Sequence, residues 1–113
     1  MKNSEIKIQI ELDENKVPES IYWTAQDAGQ ENQKSEAVLI SFWDADSQNS
    51  LRIDLWTKEM KVDEMKIFFH QTLTAMSETF ERATGDEKMA SQMRQFCQYF
   101  AEELKLVKEI KKK

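Results

Sequence analysis

The apolar residues of this chain change their spacing once, near Met60, and that change limits the fold more than any other feature. Before it they alternate. Ile6, Ile8, Ile10 and Leu12 stand against Glu5, Lys7, Gln9 and Glu11, the two-residue period of a strand with one face buried. After it they recur at three and four: Met65, Phe68, Phe69, Leu73, Met76, Phe80 and Ala83, then Met89, Met93, Phe96, Cys97, Phe100, Ala101 and Leu104. That is the stripe of an amphipathic helix. Strands followed by helices is the order of an α+β fold.

The pattern predicts strands over residues 4–12, 20–25, 37–44 and 51–57, and helices over 62–84 and 86–105. Pro18, with no amide donor, places a turn between the first two strands. Residues 26–36 are polar, contain Gly29 and have no period, so they read as a loop with one helical turn. Gly85 suits the left-handed residue that closes a helix, and Asp86 suits the cap of the next. The expected architecture is a four-stranded antiparallel sheet of two hairpins, order 1-2-3-4, followed by two C-terminal helices packed on one face. At 113 residues the whole is expected to be a single domain. Folding the second hairpin about residues 45–50 pairs Phe42 with Ile53 and Ile40 with Leu55 on a core face. Trp43 with Arg52, Ser41 with Asp54 and Leu39 with Trp56 then share the opposite face.

Composition removes several classes of function. One Cys and one His exclude an internal disulfide and leave too few soft ligands for structural zinc. Sixteen basic against 21 acidic residues, a net charge of −5, supply no basic field for nucleic acid. No apolar leader and no apolar run long enough to span a bilayer is present, so the chain is expected to be soluble and cytoplasmic.

Catalytic chemistry finds little support. Ser41, Asp54 and His70 offer the residue types of a nucleophile, acid and base, but the predicted sheet separates His70 from the other two. Cys97 and His70 lie on or near apolar helix stripes, where each reads first as a packing residue. The run 44–49 begins like a calcium loop, then has Asn49 where that loop needs Gly and Leu55 where it needs Glu; it reads as a polar hairpin loop. The alternative to a non-enzymatic reading is a small-ligand-binding or hydrolytic enzyme using His70 with an acid in a cleft between sheet and helices.

The feature that asks for a function is the outer sheet face, where Tyr22, Leu39, Trp43, Arg52 and Trp56 are expected to point away from the core. Trp43 opposite Arg52 would be a cation–π pair, and the patch has the size of an interaction surface. Two strand edges, residues 6–12 and 51–57, or the aromatic patch itself, offer routes to a homodimer. Residues 105–113 carry five lysines and one glutamate, which either complement a helix end or give weak attraction to an anionic membrane.

Longer stretches carry a family resemblance. S-E-I-K-I at 4–8, E-L-D-E-N at 11–15, W-T-A-Q-D-A-G from Trp23, L-R-I-D-L-W-T-K-E-M at 51–60, V-D-E-M-K-I-F-F-H-Q-T-L at 62–73, T-F-E-R-A-T from Thr79 and Y-F-A-E-E-L from Tyr99 resemble the GldC family of gliding motility proteins. The likeness covers residues 4–104 and leaves out the lysine-rich end beyond Leu106. It implies a cytoplasmic accessory component of the gliding machinery, associated with a membrane lipoprotein and other motility components. It implies no enzymatic activity, cofactor or catalytic residue, and assigns no role to His70.

Overall fold

The alternating N-terminal stretch becomes β1, Lys7–Leu12, in a computed structural model that describes residues 2–106. β1 pairs antiparallel with β2, Pro18–Ala25, setting Ile10 opposite Ile21 and Ile8 opposite Trp23. The register shifts after Glu11, so that Leu12 lies opposite Pro18, a residue that cannot donate to a ladder. Asp13 holds the turn: its carboxylate accepts the N–H groups of Asn15 and Val17 at 2.8 and 3.0 Å, and Lys16 takes a left-handed φ of 63°.

The segment expected to be a loop contains a further strand. After a 3-10 turn at Gln26–Ala28, closed by Gly29 at φ 73°, β3 runs over Gln30–Ser35 and pairs with β2. Its sequence, Q-E-N-Q-K-S, has no apolar alternation. The pairing is a backbone matter, with Ile21 opposite Ser35 and Tyr22 opposite Lys34. Asn32, at φ 49°, marks the irregularity in this ladder, and its N–H is taken by the Thr24 hydroxyl at 2.9 Å. Fully buried Ile21 and buried Ala25 lie on its central strand, β2.

After a bend at Glu36 the chain forms β4, Ala37–Asp44, and β5, Asn49–Trp56, which pair only with each other. The expected four-stranded sheet is therefore replaced by five strands in two antiparallel sheets, β1-β2-β3 and β4-β5. The architecture is α+β, as the change of period required.

The contacts of the chain divide it at Met60 into a strand unit and a helix unit. In the helix unit α1, Val62–Thr84, has the predicted bounds, and α2 covers Glu87–Glu103. Gly85 closes α1 at φ 74°, donating its N–H to Glu81 O at 2.8 Å, and the Asp86 carboxylate accepts the N–H of Met89 at 2.9 Å. Small residues make the seam: Ser77 on α1 and Ala90, Cys97 and Ala101 on α2 are buried, which lets the two backbones approach. No helix among the described residues is long and apolar enough to cross a membrane.

Candidate functional site

The β4-β5 ribbon is built by a tighter turn than the sequence suggests. Ser47 Oγ donates to Asp44 Oδ2 at 2.6 Å, Gln48 Nε2 donates to Ala45 O at 2.9 Å, and Gln48 adopts a left-handed φ of 55°. These bonds confine the reversal to residues 45–48 and draw Asn49 and Ser50 into β5, opposite Asp44 and Trp43. The Ser47 hydroxyl beside Asp44 also holds that carboxyl below its usual range.

The register moves by two residues as a result. Phe42 faces Leu51 rather than Ile53, Ile40 faces Ile53 rather than Leu55, Leu39 faces Asp54, Ser41 faces Arg52 and Trp56 faces Ala37. A shift of two preserves the parity of a strand, so each side chain stays on the face assigned to it. The expected Trp43–Arg52 pair does not form directly across the ladder. Arg52 instead donates to the Asp54 carboxylate on its own strand at 3.0 Å. That bond also occupies the acid of the Ser41, Asp54, His70 set.

One face of the ribbon carries Leu39, Trp43, Arg52 and Trp56, with Trp43 64% and Trp56 52% exposed. Tyr22 does not join them. It lies half-buried in the other sheet, between Gln9 and Lys34. The opposite face, expected to be core, is bare towards the turn: Phe42 is 56%, Leu51 57% and Ile53 46% exposed. Val38, Ile40 and Leu55, nearer the bend, are half-buried. Both faces of the ribbon thus expose large apolar side chains, Phe42, Leu51 and Ile53 on one and, on the other, Trp43 near the turn and Trp56 near the bend, among Ser41, Ser50, Arg52 and Asp54.

The bend end is tied to the first sheet. Thr57 N–H donates to Glu36 O at 2.9 Å, Lys58 N–H to Pro18 O at 3.1 Å, and Lys58 Nζ to Asp13 Oδ2 at 2.9 Å. The Val17 N–H and then the Lys58 ammonium hold the Asp13 carboxyl below its ordinary value, and Asp13 in turn raises the pKa of Lys58. No local sequence signal marks this pair.

In the helix unit the His70 ring stacks on Phe100, centroids 6.2 Å apart and planes at 19°, while Cys97 is buried at the helix seam. No cluster of three metal-ligating side chains occurs among the described residues. Of the lysine-rich segment only Lys105 and Leu106 lie within the described residues.

The class that emerges is an α+β protein displaying an exposed aromatic ribbon. A family model described as gliding motility-associated protein GldC-like matches residues 18–106, well over half the chain. The chain belongs to this GldC-like family. Comparison with curated proteins and with solved structures found no match.

Proposed function

We propose that this chain is a non-enzymatic accessory protein of the bacterial gliding machinery that works in the cytoplasm by binding other motility components, a membrane lipoprotein among them. The Leu39, Trp43, Arg52 and Trp56 face of the ribbon is the docking surface. The observation that carries this reading is the exposure of two indoles on one ribbon face, 64% at Trp43 of β4 and 52% at Trp56 of β5. Trp is a side chain soluble proteins seldom leave open without use, and it dominates the energetic centres of interfaces. Arg52, opposite Ser41 and diagonal to Leu39 and Trp43, adds a cation of the kind enriched at such centres. His70, stacked on Phe100, is engaged as a packing group, which supports the non-enzymatic reading.

Affinity capture from native lysate of a gliding bacterium tests it, comparing the intact chain with a Trp43→Ala, Trp56→Ala variant whose circular dichroism is unchanged. The intact chain is expected to retain motility components, and the variant to lose them by at least about tenfold, since a single buried indole contact is worth about 2 kcal/mol or more. Equal retention by both would move the docking surface elsewhere.

A further inference from the structure

Among the described residues β5 has only β4 beside it, and a two-stranded ribbon alone is marginal in water. The ladder shows which backbone groups its free edge offers. Thr57 N–H donates to Glu36 O one step beyond the Ala37–Trp56 pair, so alternation turns Leu51, Ile53 and Leu55 towards β4. The N–H and C=O groups of Ser50, Arg52, Asp54 and Trp56 then point outwards. Six of the first seven positions of the strand leave both faces of this edge open, Leu55 being half-buried.

The side chains along that edge are self-complementary. L-R-I-D-L, centred on Ile53, matches its own reverse in chemical type, apolar on apolar and base on acid. A second copy turned about a two-fold axis at Ile53 sets Leu51 against Leu55, Ile53 against Ile53, and Arg52 against Asp54 twice. Outward-pointing backbone groups meet outward-pointing groups in that register. Moving the axis by one residue sets Arg52 against Arg52 or Asp54 against Asp54, so charge selects one register. The other edge named by the sequence, β1, is less suited: centred on Gln9 it sets Lys7 against Glu11 but also Glu5 against Asp13.

We infer that β5 is a dimerisation edge, at which a second copy of this chain pairs antiparallel about Ile53 to give a four-stranded sheet β4-β5-β5-β4. This pairing shares Arg52 and Trp56 with the proposed docking face but uses the backbone edge of β5, and its test reads the mass of the chain and not the capture of partners. Its geometry also explains Ser50. Trp43 lies opposite Ser50 in β4, and Trp56 of the second copy lies opposite it on the other side, so a small side chain separates two indoles.

Light scattering of the full chain at about 0.1 mM tests this. The expected mass is twice the 13.3 kDa of one chain. Arg52→Asp and Asp54→Arg each set like charges opposite one another at two positions and are expected to weaken the dimer about tenfold or more. An equimolar mixture of the two variants sets acid against base at both positions and is expected to recover the dimer, which a misfolded variant could not do. Ile53→Cys is expected to cross-link two copies under mild oxidation, because directly opposed residues of a non-hydrogen-bonded pair lie about 4.5 Å apart. Leu55→Cys, displaced from the axis, is expected not to cross-link. A monomeric intact chain, single variants that dimerise like the intact chain, or a mixture that does not recover would overturn the inference.

Discussion

Asp13 holds three groups at once, the N–H of Asn15, the N–H of Val17 and the ammonium of Lys58, which lies 45 residues away. Its carboxyl is held below the ordinary value of 3.8, so it adds stability above that value and loses the contribution as pH falls through the lowered pKa. Lys58 has the opposite sign: its pKa is raised above 10.5, so its contribution is present below that value and fades as pH rises through the raised one. Asp13→Asn keeps an acceptor for the turn but removes the charge. Thermal unfolding followed from about pH 7 to about pH 2 is expected to show a shallower acid loss in this variant than in the intact chain. Identical slopes would mean that Asp13 does not carry the acid dependence. The turn itself was legible, because Pro18 breaks any ladder locally; its partner Lys58 was not, because nothing near either residue announces a long-range pair.

The elements divide the same way. Both helices could be read closely, since their apolar stripe, Gly85 and Asp86 are local signals that agree with one another. Asp86→Ala removes the acceptor of the Met89 N–H and is expected to cost about 1 kcal/mol in denaturant titration. Ala90→Leu forces a larger side chain into a fully buried site at the helix seam and is expected to cost about 1–3 kcal/mol; a stability unchanged by it would mean the seam is looser than the burial of Ser77 and Ala90 indicates. β3 was illegible because its side chains are polar and only backbone pairing to β2 makes it a strand. In the ribbon, side-chain parity was readable and register was not. Parity depends on the two-residue period alone, whereas register depends on the turn at 45–48, where Ser47 and Gln48 bond back to Asp44 and Ala45.

At the scale of the whole molecule, four of the five expected surface residues, Leu39, Trp43, Arg52 and Trp56, fall together on one ribbon face, and Tyr22 falls on the other sheet. The exposure of Phe42, Leu51 and Ile53 on the opposite face has no signal in the sequence, because alternation says that a face is apolar and not that something covers it. Among the described residues both faces and the β5 edge of one hairpin lie open, as the proposed docking and pairing require. The most direct measurement is colony spreading by a gliding bacterium deleted for this protein and supplied with either the intact chain or the Trp43→Ala, Trp56→Ala variant at equal cellular levels. The expected result is spreading restored by the intact chain and not by the variant. Full restoration by the variant would contradict the assignment of the ribbon face as the surface through which the protein acts.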